Sequence, residues 1–308
     1  MPDQATALRR LAHDFAPTSL KPQANGTSHA TAGHGGAKRR APQRASVFAI
    51  TSGKGGVGKS NIAVNLACKF AQAGKRVLLI DADLGLANAD VLCGIEAPYN
   101  LSHVLAGRKT MREVVVKTPA GFDLLAGASG LSRMADLDDA GRQVLLTAIQ
   151  EIERLADVVL IDTGAGVSSN VLAFCRAADH VLVVTTPEPT AVTDAYAMVK
   201  CIGTAADRRV SLLVNQVSGV TEANAIYDRI AKVARQFLSV NLLDAGHVLR
   251  DDEMTRAVRR RMPLMLCAPT SDAARSISQL AFRLEPGLRP DNAPGFFRRL
   301  LNRTKGAR

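Results

Sequence analysis

From residue 46 onward the chain alternates short, mostly apolar runs with longer amphipathic stretches. The runs at 47–51, 76–81, 122–126, 158–162, 181–185, 210–215 and 243–249 have the length of strands. Apolar runs without strict alternation suit strands covered on both faces. Between them, residues 60–73, 139–155, 190–202, 222–237 and 271–283 place apolar side chains at helical spacing. This order predicts an α/β domain over 46–285, with a doubly wound, mostly parallel sheet.

The flanking segments have a different pattern. In residues 1–15, Ala5, Leu8, Ala12 and Phe15 share one helical stripe. Residues 16–45 are rich in Gly, Ala, Thr, Ser and Pro, which predicts a flexible linker. Residues 286–308 predict a second linker and a short amphipathic helix. At 100° per residue, Phe296, Phe297, Leu300 and Leu301 fall within about 140° of arc, and Arg298, Arg299 and Arg303 lie opposite.

Composition narrows the classes. Hydrophobic residues make up 47% and aromatics 4%, with no Trp, so Ala, Val, Leu and Ile must fill the core. No run of ~18 apolar residues predicts a membrane span, and the N-terminus lacks the apolar region of a secretory signal. The five cysteines include no CxxC pair; they read as buried thiols of a cytoplasmic protein. The net charge of +11 sits mainly in the tails. Residues 1–45 carry seven Lys and Arg against Asp3 and Asp14, and residues 289–308 carry six against Asp291. Basic tails suit anionic partners; the alternative is a pair of solvated tails.

Residues 53–60 read GKGGVGKS and match G-x-x-x-x-G-K-[ST] in full, between a predicted strand and a predicted helix. Gly53, Gly55, Gly56 and Gly58 let the backbone turn its N–H groups inward around phosphate. The helix start adds partial positive charge. Lys59 is placed to reach the β- and γ-phosphates, and the Ser60 hydroxyl to bind Mg²⁺. Val57 and Asn61 complete the predicted ATP contact.

Lys54 is a second cation in this loop. The string KGGVGKS resembles the MinD/ParA family of deviant Walker A ATPases, and the resemblance spans about residues 46–285. It implies that Lys54 crosses an ATP-dependent homodimer interface to the partner's nucleotide. It makes 81–94 (DADLGLANADVLCG) switch I, with Asp83 orienting the attacking water and near the metal. Without the resemblance, Asp81 and Asp83 could instead cap the following helix. It makes 158–170 (VVLIDTGAGVSSN) the Walker B strand and switch II, with Asp162 holding Mg²⁺. Ala165 stands where the family more often has Pro, which predicts a slightly looser loop. Asn215 matches the family's adenine contact. Asp251 matches an acid near the base, although Leu249 replaces the usual Pro.

Cluster-carrying members of the family need a cysteine pair, and Cys267 stands alone. Residues 296–303 resemble the family's membrane-targeting helix, which implies anionic inner-membrane lipid as a partner in the ATP state. The alternative is a helix docked on its own domain. Asp3, Gln4, Ala5, Leu8 and Arg9 resemble the N-terminal element of the family's flagellar-number regulators. That implies an FlhF-type GTPase as partner, together with flagellar basal-body or flagellar transcription regulator proteins. Two rival readings are a DNA-partition ATPase, using Arg256, Arg259, Arg260 and Arg261, and a division-site ATPase. The arginine cluster reads better as a solvated helix face, so a nucleic-acid partner is not expected.

Overall fold

The computed structural model describes residues 45–83, 88–127, 156–203 and 209–285. No helix among them is long and apolar enough to cross a membrane. Strand β1 (Ser46–Ser52) runs through the phosphate loop into α1 (Lys59–Gln72). β2 (Val77–Ala82) leads to three short helices, α2 (Ala89–Leu92), α3 (Leu101–Leu105) and α4 (Met111–Val114). Strands β3 (Val115–Lys117) and β4 (Asp123–Leu125) form an antiparallel pair. Strict alternation follows with β5 (Val158–Ala165), α5 (Ser169–Ala177), β6 (His180–Thr185), α6 (Pro189–Ile202), β7 (Arg209–Val217), α7 (Val220–Leu238) and β8 (Leu243–Leu249). Three helices come after: α8 (Asp252–Arg259), α9 (Leu264–Cys267) and α10 (Asp272–Leu284).

The strands form one sheet in the order β3-β4-β2-β5-β1-β6-β7-β8. Every neighbouring pair except β3–β4 is parallel. β1 lies inside the sheet, with Ser46 opposite Val158 of β5 and Phe48 opposite His180 of β6. The chain winds away from β1 in both directions, so a crevice opens at its C-terminal end, where α/β sheets take ligands. The phosphate loop begins at that point.

Period-2 geometry explains the unbroken apolar strands. Phe48 and Ile50 face one helical layer with Ile62, Leu66 and Leu280, while Val47 and Ala49 face the other with Phe174 and Met198. Each such side chain, fully buried, contributes about 1.5–3 kcal/mol. An exposed ion pair such as Arg76–Asp157, at 2.7 Å, adds only ~0–1 kcal/mol. The two apolar layers therefore dominate stability. His180 is a polar member of the core. Its ring stacks on Phe48 with centroids 5.1 Å apart, and Nε2 lies 2.7 Å from the Ser211 hydroxyl. Burial pushes its pKa down to about 4.

The sheet differs from expectation at its margins. β3 was not predicted, and three residues after a one-turn helix give no periodic signal. β5 runs on through Ala165, which pairs with Ser52, where a looser loop was predicted. Unlike Pro, Ala keeps the N–H and free φ that a strand uses. Cys68, Cys93 and Cys175 are buried as expected, but Cys201 and Cys267 are partly exposed. The predicted helix at 139–155 lies outside the described residues.

Candidate nucleotide-binding site

The phosphate loop is wedged between α1 and α6. A Cβ on Gly53 would sit 2.1 Å from the backbone oxygen of Asp194 in α6. Gly58 has φ +87, which favours glycine, and a Cβ there would lie 2.4 Å from Asn215 Nδ2. By contrast, no atom lies within 4 Å of a Cβ built on Gly55 or Gly56, so that stretch borders open space. α1 starts immediately after Gly58, and its first N–H groups face the loop.

Lys59 is buried and donates from Nζ to Asp162 Oδ1 at 3.0 Å. The Ser60 hydroxyl also bonds Asp162. β5 lies beside both β1 and β2, which brings Asp162 opposite Ile50 and Asp81. Asp81 is buried and accepts from the N–H groups of Asn88 and Ala89, both at 2.9 Å, and of Asp83 at 3.2 Å. It therefore caps α2, the alternative weighed for it from sequence. Asp83 has its Oδ1 near Gly164 of β5. Burial first, and the charge of Asp162 second, push the Asp81 pKa up to about 7. Burial also raises Asp162, against the pull of Lys59.

Asp162 thus pairs with the buried Lys59, the buried Asp81 beside it is held by backbone N–H groups, and Asp83 stands close by. This arrangement lacks positive charge. Among the described residues no group of three His, Cys, Asp or Glu could cage a metal unaided. A hard cation that takes one or two carboxylates, a hydroxyl and phosphate oxygens fits the donors present, which is the habit of Mg²⁺. Ser60, Asp162 and Asp83 are the side chains that would serve it.

The remaining predicted contacts are engaged in holding the site. Asn215, at the end of β7, is buried, and its Nδ2 donates to the Val57 carbonyl at 2.8 Å. Asp251 caps two helices, with Oδ1 accepting from Glu253 N at 2.9 Å and Oδ2 from Ala273 N at 3.0 Å. Its sequence assignment was to the base; its contacts here are structural. Lys54 turns away from the cradle, and its Nζ lies 2.8 Å from Glu188 Oε2 and 3.0 Å from Thr190 Oγ1. This lysine is 41% exposed.

Sequence reasoning missed Glu188, Thr190 and Asp194, which hold the loop from α6. The only signal was Pro189, which opens α6 and leaves Glu188 at its N-cap position. Gln216 was also missed. It takes φ +60 at a register shift beside Asn215, an uncommon conformation for a residue with a side chain. Arg256, Arg259, Arg260 and Arg261 lie on or just after α8, and Arg256 pairs with Glu253. The predicted membrane residues (Phe296, Phe297, Arg298, Arg299, Leu300, Leu301) and GTPase-contacting residues (Asp3, Gln4, Ala5, Leu8, Arg9) lie outside the described residues.

A glycine cradle, a buried lysine and a strand-end aspartate beside a switch-point crevice define a P-loop nucleotide-binding protein. The profile of a family described as "AAA domain" matches residues 45–214. The chain is 37% identical over 250 residues to "Antiactivator FleN" of Pseudomonas aeruginosa, spanning 81% of this chain and 89% of that protein. It is 38% identical over 264 residues to "Flagellum site-determining protein YlxH" of Helicobacter pylori, spanning 82% and 89%. Among solved structures, the MinD cell division protein of Aquifex aeolicus superposes with a TM-score of 0.64 at 26% identity, covering 82% of this chain and 99% of that one. The chain belongs to the MinD/ParA family of P-loop ATPases. Within it, the chain stands with FleN and YlxH, the FlhG branch.

Proposed function

We propose that this protein is an ATPase that regulates flagellar number or placement, by cycling between a monomer and an ATP-bound homodimer on the inner face of the cell membrane. The likeness to FleN and YlxH over most of the chain carries the flagellar part of this reading. The partners are an FlhF-type GTPase, engaged by residues 3–9, and flagellar basal-body or transcription regulator proteins. Phe296, Phe297, Leu300 and Leu301 serve as a membrane anchor, with Arg298 and Arg299 facing anionic lipid.

The chemistry is transfer of a phosphoryl group to water. Bound Mg-ATP supplies the phosphoanhydride and the metal's charge. Lys59 and the N–H groups from Gly53 to Ser60 hold the phosphates and stabilise charge on the transferring group. Ser60 and Asp162 orient the metal side of the site. Asp83 positions the attacking water. Asn215 and Asp251 stand on the side assigned to the base. Lys54 acts in the partner's site. Its exposed position on Glu188 and Thr190 supports this, because no packing holds it in its own cradle.

The reading is tested with a peptide of residues 1–20 added to the FlhF-type GTPase of the same cell. Stimulated GTP hydrolysis, lost with Gln4→Ala and Leu8→Ala peptides, is the expected result. Absence of stimulation by the native peptide would remove the GTPase partner.

A further inference from the structure

α7 and α10 run antiparallel to the strands they cover, so both end at the pole opposite the phosphate loop. The start of α10 is tied to Asp251, just past the C-terminal end of β8, through the Ala273 N–H at 3.0 Å. Its far end is tied to the beginning of β8 by Arg283 and Asp244 at 3.1 Å. α7 descends from β7 and leads into Leu243, the first residue of β8, beside Ser211. The last turns of both helices therefore flank the first residues of one edge strand, on opposite faces of the sheet.

This pole exposes large apolar side chains. Phe282 in α10 is 76% exposed and Phe237 in α7 is 67% exposed, the two highest values among the large hydrophobic residues described. Leu243, in the strand between them, is 39% exposed. Single exposed hydrophobics are ordinary, but three on one pole are not scattered. Lys232 and Arg235 are exposed in the final turns of α7, and Arg283 follows Phe282. The acids there are Asp244, already paired with Arg283, Glu285, and Asp228, one turn before Lys232 on α7.

We propose that this pole is a second lipid-contact surface, which rests an anionic bilayer against Phe237, Leu243 and Phe282 with Lys232, Arg235 and Arg283 toward the headgroups. This deepens the membrane association proposed above and rests on it. Two observations favour a bilayer over a protein partner. The phenylalanines project into solvent instead of lining a groove, so they need no shaped counterpart to be buried. The chain also leaves the described fold from this pole, at Glu285, and about ten residues further on its sequence sets Phe296, Phe297, Leu300 and Leu301 among the arginines of 296–303.

The chain contains no tryptophan, so Phe282→Trp and Phe237→Trp each create a single tryptophan, excited apart from the three tyrosines at long wavelength, in the full-length protein. With ATP and phosphatidylglycerol vesicles, both variants should sediment with lipid and show blue-shifted, brominated-lipid-quenched emission. Phosphatidylcholine vesicles should give neither. Phe282→Ser with Phe237→Ser should weaken vesicle binding about tenfold per residue, equivalent to about 1.4 kcal/mol each. Sedimentation with unshifted, unquenched emission overturns this surface and leaves the tail anchor standing. A blue shift without lipid assigns the pole to protein contact and overturns it as well. Failure of the native chain to sediment overturns both the surface and the membrane reading.

Discussion

Replacing Gly53 by Ala tests the claim that α6 presses directly on the phosphate loop. The added Cβ would meet Asp194 O at 2.1 Å, its carbonyl carbon at 2.3 Å and its Cβ at 2.7 Å. Ordinary contact begins near 3.4 Å, so the loop or the helix must retreat by about 1.3 Å. A flexible side chain could swing aside, but backbone atoms inside a helix cannot do so cheaply. Overpacking of this kind costs about 1–3 kcal/mol, occasionally more, and the overlap here argues for the upper end. At roughly 2–4 °C per kcal/mol for a domain of this size, the melting temperature should fall by ~6–12 °C. Gly55→Ala is the matched control, because its Cβ meets nothing within 4 Å and its φ is not positive. It should stay within about 0.5 kcal/mol of the native protein. Thermal unfolding followed by circular dichroism, without nucleotide, makes the comparison. Equal melting temperatures for the two variants would refute the wedge between loop and helix. A retreat of α6 would also shift Glu188 and Thr190, the side-chain partners of Lys54.

Lys54→Ala should leave the melting temperature and ATP binding nearly unchanged, since its contacts are exposed. It should abolish ATP-dependent dimers in light scattering, and dimers that persist would exclude the crossing role. His180 sets a pH dependence. Neutral in the fold, with a pKa near 4, it takes a proton near 6.5 once unfolded. The unfolded chain therefore binds more protons between these values, so this contribution is complete above pH 6.5 and lost as pH falls toward 4. The loss amounts to about 3 kcal/mol. His180→Leu should flatten the slope of unfolding free energy over that window, and parallel curves for the two proteins would show that His180 does not titrate this way.

The central strands were legible because burial on both faces writes a continuous apolar run, and the loop because phosphate binding fixes its glycines and Lys59. One-turn helices such as α2, α4 and α9 were not legible, since four residues cannot display a 3.6 period. Contacts brought together only by the fold were equally hidden. Glu188 lies 134 positions from Lys54, and no local pattern marks a lone carboxylate as its partner. Asp251 shows the converse case, a structural role that its sequence match did not reveal. Its position in the chain suggested a ligand contact, and the fold adds that its two oxygens start two helices distant in sequence. The antiparallel β3 escaped notice because its register depends on β4 and not on its own three residues.

The two margins of the sheet share a property that bears on crowding. An open edge offers unpaired N–H and C=O groups to any neighbouring strand, an invitation to aggregate. One edge here, β3, is only three residues long. The other, β8, breaks register with β7 twice and bends at Gly246, with φ +89. Asp244 already occupies the Gly246 N–H at 2.7 Å, and the Ser276 hydroxyl accepts from Leu249 N at 3.4 Å. Among the described residues, neither margin gives a second molecule a long, flat template for strand addition. Short, bent margins of this kind work against copies zipping into fibrils when many are packed together.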